Sequence, residues 1–317
     1  MRKQEIIREV NSILQDSRGI FIVTTKGFCD INNNLIQEGD YFNTSNNYIY
    51  GYNGETTFVK VRDIFKNITT GYTSGCKIFS KNNIICYKLQ LKENKVKYQL
   101  INDKDITNFC ITGRNIPICK EDDKIVFTDK KHSIFLYDIQ NNKNLWSYIL
   151  PEGFTIFKQP QIVDDVLFFD SFKNGNEENF VVGLDIKTGE VLWQLLFKIP
   201  YKEQLLATTL HKENKLCYGY LGNLYQIFNP ISGKIVLEKE MNEKINPYTN
   251  AIYDNKLWFV SGKYEECKFG YINLANNELE LLQDFPQEDD ETFEIVYHQK
   301  KLYLRGKYYN NLYIFEE

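Results

Sequence analysis

A self-similar segment recurs along the chain and limits the folds that it can adopt more than any other feature. A polar turn leading into a short apolar run occurs at Glu121–Phe127, Val163–Phe169, Lys212–Tyr218, Tyr253–Phe259 and His298–Leu304. Successive copies start 41 to 49 residues apart. Repeats of this length are typical of propellers, solenoids and arrays, in which each copy is one supersecondary unit.

A second element follows each of the first four copies and consists of a strand, a tight turn and another strand. Its copies are Phe135–Trp146, Val182–Trp193, Gln226–Leu237 and Gly270–Leu281. Two hairpins per period make four strands, and a lone four-stranded sheet cannot bury both of its faces. Radial packing of such sheets solves that problem and leaves only short edges. The repeat therefore predicts an all-β fold, a β-propeller with four-stranded antiparallel blades.

Composition points the same way. The chain has 22 Phe and 22 Tyr but only 2 Met among its 317 residues, a bias toward residues that suit pleated surfaces. Beyond Gly19 no helical pattern is long enough to alternate with the strands, which excludes a βαβ fold.

The turn of the second element has its own chemistry. An Asp or Asn ends the incoming strand, where its side chain can accept hydrogen bonds from turn amides. A residue able to adopt a positive φ follows four residues later. The first set is Asp138, Asp185, Asn229 and Asn273, and the second is Asn142, Gly189, Gly233 and Asn277. Trp146 and Trp193 open the outgoing strands, where a large ring can pack between adjacent sheets.

These residues also carry a resemblance. Leu184–Trp193, with the sequence LDIKTGEVLW, resembles the repeat of the quinoprotein-dehydrogenase-like (PQQ-like) β-propellers, and the likeness covers residues of about 115 to 317. The resemblance implies a propeller and raises the possibility of a quinone-dependent dehydrogenase. The sequence lacks the adjacent cysteine pair of the best-known branch, and Trp146, Trp193 and Trp258 fall at repeat positions with a structural use. We therefore expect no cofactor.

The two ends of the chain decide how the ring closes. Apolar residues at helical spacing predict an amphipathic helix over residues 1–18; they are Ile6, Ile7, Val10, Ile13 and Leu14. The last copy ends before it has an outer strand, and residues 19–25 are an apolar strand without an obvious partner. We expect residues 19–25 to pair with the last blade and close a propeller formed by residues 19–317. Two weaker repeats near the N-terminus bring the count to seven blades, or to six if they merge.

Catalytic and metal motifs are not evident. The seven cysteines are an odd number without a C-x-x-C pair, which argues against a disulfide framework and against a zinc site. His132, His211 and His298 lie in different repeats, and neither a G-x-S-x-G elbow nor a P-loop occurs. We expect no metal site and no enzymatic activity. The alternative is a small-molecule or glycan-processing enzyme with its site in the central channel, where innermost strands converge.

Charge and hydropathy restrict the partners. Lys and Arg number 38 against 42 Asp and Glu, so the net charge of -4 has the wrong sign for a nucleic-acid-binding protein. The sequence contains no run of about 18 apolar residues, the length that spans a bilayer. The N-terminus also lacks the uninterrupted apolar stretch of an export signal. These features predict a cytoplasmic monomer that binds neither nucleic acid nor membranes.

Acidic and aromatic residues gather in the loops at one end of the predicted blades. We identify Glu177, Glu178, Tyr264, Glu265, Glu266, Glu288, Asp289, Asp290, Glu291, Tyr308 and Tyr309 as candidate partner-binding residues. Such a surface combines aromatic anchoring with electrostatic attraction of a cationic partner. The sequence therefore predicts a non-enzymatic scaffold that binds another protein. One narrower hypothesis is an immunity protein that neutralises a basic toxin.

Overall fold

A computed structural model describes most of the chain. The described residues are 1–16, 19–39, 41–45, 48–53, 56–61, 64–69, 75–80, 83–102, 105–121, 123–129, 132–156, 160–173, 178–198, 208–245, 247–262, 264–286 and 293–317. The chain divides into two compact units. Unit 1 is Met1–Gly51, Leu206–Phe228 and Ile235–Glu317, and unit 2 is Tyr52–Leu205 and Asn229–Lys234.

Nearly all regular structure is β-strand. The first strands are β1 (Arg2–Ile7), β2 (Ser12–Asp16), β3 (Gly19–Thr24), β4 (Gly27–Asp30), β5 (Leu35–Gln37), β6 (Tyr41–Ser45), β7 (Tyr48–Asn53), β8 (Thr56–Val61) and β9 (Ile64–Thr69). The middle of the chain forms β10 (Gly75–Ser80), β11 (Asn83–Gln90), β12 (Lys95–Asn102), β13 (Ile106–Thr112), β14 (Ile116–Glu121), β15 (Lys124–Thr128), β16 (Ser133–Asp138), β17 (Lys143–Ile149), β18 (Phe154–Ile156), β19 (Gln161–Val163), β20 (Val166–Lys173), β21 (Glu178–Asp185) and β22 (Val191–Lys198). The last strands are β23 (Thr209–His211), β24 (Leu216–Asn229), β25 (Lys234–Ile245), β26 (Pro247–Tyr253), β27 (Lys256–Ser261), β28 (Lys268–Asn273), β29 (Glu278–Asp284), β30 (Phe293–His298), β31 (Lys301–Gly306) and β32 (Leu312–Glu316). Two short 3-10 helices are η1 (Leu91–Glu93) and η2 (Tyr264–Glu266).

The fold is a β-propeller of antiparallel, mostly four-stranded blades, as the repeat predicts. Consecutive strands pair in the sheets β2–β5, β6–β9, β10–β13, β14–β17 and β26–β29. In the sheet β18–β22, the two short strands β18 and β19 both pair with β20. In the sheet β23–β25, the long strand β24 contains Gly222 at a φ of 63°. Within the described ranges the strands thus form eight sheets. The sequence predicts seven blades, and the additional sheet is the one that residues 12–37 make on their own.

The predicted N-terminal helix is wrong. Its residues form β1 and β2, and between these strands Glu9 has a φ of 61° that a helix does not allow. Val10 is fully buried, and its amide donates to the Asn310 carbonyl at 2.8 Å. The β-branched residues of this segment suit strands, and pairing with distant parts of the chain overrides their helical spacing.

The strand that completes the last sheet also differs from the prediction. The first strand, β1, pairs antiparallel with β32, with Arg2 opposite Glu316 and Ile7 opposite Leu312. The expected residues 19–25 instead contribute β3, which pairs with β2 and β4. Ile20–Val23 are all buried, as in a central strand, whereas most described side chains of β1 are exposed, as an outermost position allows. The last sheet is therefore closed by the N-terminus, but by an earlier segment than predicted.

The hydrophobic core is divided among neighbouring sheets. In unit 2 one cluster joins β14–β17 to β18–β22, around Leu136, Leu167 and Val182. In unit 1 another cluster joins the sheet β26–β29 to the sheet of β30, β31, β32 and β1, around Trp258 and Phe315. In both clusters adjacent sheets bury their facing side chains against each other, which stabilises sheets that could not exist alone.

Candidate functional site

Two turns of unit 1 lie at the same end of their sheets. The first joins β27 to β28 and contains η2, and the second is the turn of residues 307–310 between β31 and β32. The Phe285 amide donates to the Cys267 carbonyl at 2.8 Å, directly after η2. The Phe285 ring packs on Phe293 with centroids 5.6 Å apart, and Phe293 pairs with Gly306 at the start of the second turn. We call this surface, formed by residues 264–266 and 307–310, the η2 face.

A tyrosine pair projects from the η2 face. Tyr308 is 77% exposed and Tyr309 is 48% exposed, and their ring centroids lie 4.9 Å apart at an interplanar angle of 65°. The turn that carries them is fixed at Asn310, which has a φ of 58° and accepts a hydrogen bond from Arg305 Nη1 at 3.1 Å. Two large rings are therefore presented to solvent on a well-anchored turn.

Carboxylates accompany this pair on the η2 face. Glu265 and Glu266 are exposed, and both lie in the single turn of η2. Gly262 precedes that turn with a φ of 77°, and an added Cβ would collide with the Glu266 carbonyl oxygen. Only glycine lets the backbone fold back this tightly, so it positions both carboxylates.

The remaining predicted site residues lie at the start of an element or outside the described residues. Tyr264 begins η2, and Glu178 begins β21 in unit 2. Glu177, Glu288, Asp289, Asp290 and Glu291 lie outside the described residues. The structure thus places Glu265 and Glu266 on one turn and Tyr308 and Tyr309 on another, at the same end of two adjoining sheets.

A cavity of about 1290 Å³ lies within unit 1. Its walls come from β2, β23, β26 and β30, each an edge strand of its sheet, and Lys307 also contributes. The lining mixes apolar residues with amide, hydroxyl and charged side chains, among them Gln15, Thr209, Asn250, Tyr253 and Glu294. A concave site with a few convergent polar groups is the general form of a small-molecule site.

An ion pair fixes one wall of this cavity. Arg305 is 5% exposed and donates from Nε to Glu294 Oε2 at 2.8 Å, and the same oxygen accepts from the Ile13 amide at 3.3 Å. This carboxylate therefore joins β30 and β31 to β2. The nearby Tyr253 has its pKa raised to about 12, chiefly by burial and secondly by the charge of Glu294. It stays protonated at neutral pH and can donate a hydrogen bond.

The three histidines have separate hydrogen bonds. His132 Nδ1 donates to the Phe154 carbonyl at 2.8 Å, and His298 Nδ1 accepts from Gln15 Nε2 at 3.1 Å. His211 Nδ1 accepts from the Glu213 amide at 3.3 Å. Among the residues that the structure describes, no group of three or more His, Cys, Asp or Glu is arranged to hold a metal ion.

The sequence did not identify the lining of the cavity. Arg305 gives a weak sequence signal for this ion pair. It stands between the apolar run Leu302–Leu304 and Gly306, and an arginine in a buried strand must have a partner. Its partner Glu294 lies on a different strand in an otherwise ordinary pattern, so the pair becomes visible only when β30 and β31 are aligned.

Comparison with solved structures gives likenesses over nearly the whole chain. BamB from Moraxella catarrhalis matches with a TM-score of 0.60 and 11% identity, covering 99% of both chains. Sqt1 from Saccharomyces cerevisiae matches with a TM-score of 0.58 and 10% identity, covering 100% of this chain and 98% of Sqt1. The computationally designed Ika8 protein matches with a TM-score of 0.55 and 13% identity, covering 98% of this chain and 96% of Ika8. At such identities the likeness shows the fold, a β-propeller.

Sequence comparisons give no match: neither a protein-family model nor a curated protein matches this chain. The resemblance to PQQ-like repeats therefore stays a prediction, while the broader assignment to the β-propellers is confirmed. No helix in the described part of the chain is long and apolar enough to cross a membrane.

Proposed function

We propose that this propeller is a non-enzymatic scaffold that binds another protein through the η2 face. The observation that carries the proposal is the exposed pair of Tyr308 and Tyr309 on an anchored turn. Tyrosines are enriched among the residues that dominate binding energy at protein interfaces, because they offer a large contact area and lose little conformational entropy. Among the residues whose burial the structure describes, the other Phe and Tyr rings are buried or half-buried, so two adjacent exposed rings favour a role in binding.

The proposed partner is a basic protein. Glu265 and Glu266 on the same face add negative charge, and the whole chain has a net charge of -4. Such a surface attracts a cationic partner and accelerates its association. An immunity protein that neutralises a basic toxin or nuclease would have this combination, and we propose it as the specific role of a cytoplasmic monomer.

A capture experiment tests the proposal. The full chain is immobilised and exposed to lysate from the native cell, and bound proteins are quantified by mass spectrometry. We expect one basic protein in stoichiometric amount, and we expect its capture to fall at least about tenfold in a Tyr308→Ala/Tyr309→Ala double variant. The Glu265→Gln/Glu266→Gln variant should weaken capture mainly at low salt, because charge attraction is screened by ions.

Matched controls come from exposed residues of unit 2. Ile149 is 72% exposed and Glu190 is also exposed, and neither belongs to the η2 face. Ile149→Ala and Glu190→Gln should capture as much partner as the unchanged chain. Equal capture by the double tyrosine variant would overturn the proposed surface.

A second candidate function is a small-molecule site in the cavity of unit 1, with or without catalysis. The specific support is the convergence of Asn250, Tyr253 and Glu294 on a cavity of about 1290 Å³. A ligand that binds the folded chain raises its unfolding temperature. A panel of metabolites and sugars tests this, and the stabilisation by any active compound should be reduced in Asn250→Ala. If no compound raises the unfolding temperature, the cavity candidate fails.

A further inference from the structure

Two cysteines face each other across a hairpin of unit 2. Cys76 on β10 and Cys86 on β11 are directly opposite in the antiparallel register, and their Sγ atoms lie 2.7 Å apart. That separation is shorter than the ordinary non-bonded contact of two sulfur atoms. Directly opposite residues have Cα atoms about 4.5 to 5.5 Å apart, and disulfides form over Cα distances of about 4.4 to 6.8 Å. The Cα separation expected for such a pair therefore lies within the range that a disulfide spans.

The register that creates this pair is fixed on both sides. Gly75 lies opposite Tyr87 and Lys77 lies opposite Ile85. An added Cβ at Gly75 would overlap the Tyr87 ring, so this ring occupies the space beside the cysteine pair. β11 is further paired with β12 along all of its eight residues. A slip by one residue would turn every side chain of β10 to the other face, so the two thiols stay together in the folded chain.

Neither thiol has room to turn away easily. Cys76 is 5% exposed and Cys86 is fully buried, and the buried pair Ile78 and Ile84 lies two residues along the hairpin on the same face. Cys110, in contrast, is exposed on β13 of the same sheet. The environment of the pair is a packed interior in which two sulfur atoms are each other's nearest reactive partner.

We propose that Cys76 and Cys86 are a reversible thiol–disulfide site that joins β10 to β11 covalently when the chain is oxidised. The oxidant is a small disulfide of the glutathione class. One cysteine thiolate attacks glutathione disulfide, forming a mixed disulfide and releasing one glutathione. The second cysteine then attacks the mixed disulfide, the Cys76–Cys86 bond forms, and the second glutathione leaves. Two thiols are oxidised and lose two protons, and one glutathione disulfide is reduced to two glutathione thiols.

The reaction should be slow in the native chain. The thiol–thiol contact with Cys76 and, secondly, burial raise the pKa of Cys86, so little thiolate is present at neutral pH. Thiolate is the reactive form in disulfide exchange. We expect oxidation of the pair to be much slower than modification of the exposed Cys110 and to accelerate as the pH is raised.

Mass spectrometry of the whole chain tests the site. The reduced protein is freed of reductant, incubated under native conditions with glutathione disulfide, and then denatured and alkylated. We expect Cys76 and Cys86 to escape alkylation without carrying glutathione, and their linked peptides to show the loss of two hydrogen atoms. A cysteine blocked as a mixed disulfide, such as the exposed Cys110, is distinguished by the added mass of one glutathione. Digestion should release one linked pair of peptides, containing Cys76 and Cys86, and treatment with dithiothreitol should restore all seven thiols.

Variants separate this pair from the other cysteines. Cys76→Ser and Cys86→Ser should each abolish the linked peptides, whereas Cys110→Ser should leave them unchanged. If a serine variant fails to fold, the peptide map of the unchanged chain still decides. Alkylation of all seven cysteines, a bond that forms only in urea, or linkage of either cysteine to a different one would each overturn the proposal.

Discussion

The indole ring of Trp146 lies directly on Gly189 of the next sheet. A Cβ added at Gly189 would come within 2.6 Å of the ring, and Trp146 Nε1 donates to the Ile186 carbonyl at 3.0 Å. Trp193 has the same relation to Gly233, where the nearest ring atom would be 2.5 Å from the added Cβ. Each glycine therefore serves its own hairpin turn, with φ values of 75° and 68°, and also receives the tryptophan of the preceding repeat.

Replacing Gly189 by alanine should destabilise the chain through both effects. The left-handed backbone costs an L-residue about 1 to 2 kcal/mol, and the collision with Trp146 adds to that penalty. We expect the free energy of unfolding to fall by more than about 2 kcal/mol, as measured by urea unfolding.

Gly113 provides the matched control. It has a φ of 90°, but an added Cβ would meet only the Asn115 side chain, at 3.4 Å. Gly113→Ala should therefore lower the free energy of unfolding only through the left-handed backbone conformation. In a Trp146→Ala background the cost of Gly189→Ala should shrink to a similar value, and an unchanged cost would show that the ring contact does not matter.

These hairpins were predictable because their chemistry is local. The Asn141 amide donates to Asp138 Oδ1, the Thr188 amide to Asp185 Oδ1 and the Ala275 amide to Asn273 Oδ1, each at 2.8 or 2.9 Å. Asn142 and Asn277 adopt positive φ values of 52° and 59°, as expected. A few neighbouring residues encode each turn, so the repeat and the four-stranded unit can be inferred without knowing the rest of the chain.

The N-terminus could not be predicted in the same way. Whether residues 2–7 form a helix or a strand depends on the free edge of β32, which lies about three hundred residues further along the chain. The same holds for the cavity, whose lining residue Glu294 is paired with Arg305 on a separate strand. It also holds for the cysteine pair, which depends on the β10–β11 register. Local patterns place the residues of the η2 face in loops, but they do not show which loops lie next to each other.

The aspartate turns allow a prediction with a control inside the repeat. Amide hydrogen bonds from Thr188 and Lys187 are the main cause that holds the pKa of Asp185 below its usual value. Asn229 and Asn273 accept the corresponding turn-amide hydrogen bonds in other copies of the repeat. Asp185→Asn should therefore change the free energy of unfolding little. Asp185→Ala should lower it by about 1 kcal/mol, because turn amides lose their acceptor.

Acid provides the second test of this turn. A carboxylate whose pKa is lowered by folding stabilises the chain above its unfolded pKa, and that contribution is lost as the pH falls through the folded pKa. The difference in the free energy of unfolding between the unchanged chain and Asp185→Ala should therefore be smaller below about pH 4 than at neutral pH. An Asp185→Ala penalty that is the same at both pH values would contradict the charged hydrogen bonds.

Deletion of residues 1–8 should expose the edge of β32. The N–H and C=O groups of Leu312–Glu316 that pair with β1 would lose their partners, and open edges favour pairing between molecules. We expect a lower unfolding temperature and concentration-dependent association, measured by light scattering. Replacing the exposed Arg2 and Lys3 by serine keeps the strand and should leave the chain unassociated. Association of the serine variant to the same extent would contradict a role for the strand itself.

The ion pair in the cavity wall should respond unequally to loss of its two partners. Glu294→Leu leaves the buried Arg305 guanidinium unpaired, which costs about 3 kcal/mol or more. Arg305→Met removes the buried charge instead and leaves Glu294 partly in contact with water, so its cost should be smaller. Urea unfolding of both variants distinguishes them, and an equal or larger cost for Arg305→Met would contradict the buried position of the arginine.

Tyr253 predicts how stability changes in alkali. Its pKa rises from 10.0 to about 12 in the folded chain, chiefly because burial disfavours the phenolate. Because the folded pKa is raised, the contribution of Tyr253 to the free energy of unfolding is fully present below about pH 10 and is lost as the pH rises toward about 12. The total loss from this side chain should be about 3 kcal/mol, because one pKa unit corresponds to about 1.4 kcal/mol. Tyr253→Phe removes the titrating group without changing the ring, so its free energy of unfolding should fall less steeply between pH of about 10 and 12. Tyrosinate absorbance followed in both proteins assigns the difference to this residue, and identical pH profiles of stability would show that Tyr253 is as accessible to ionisation when folded as when unfolded.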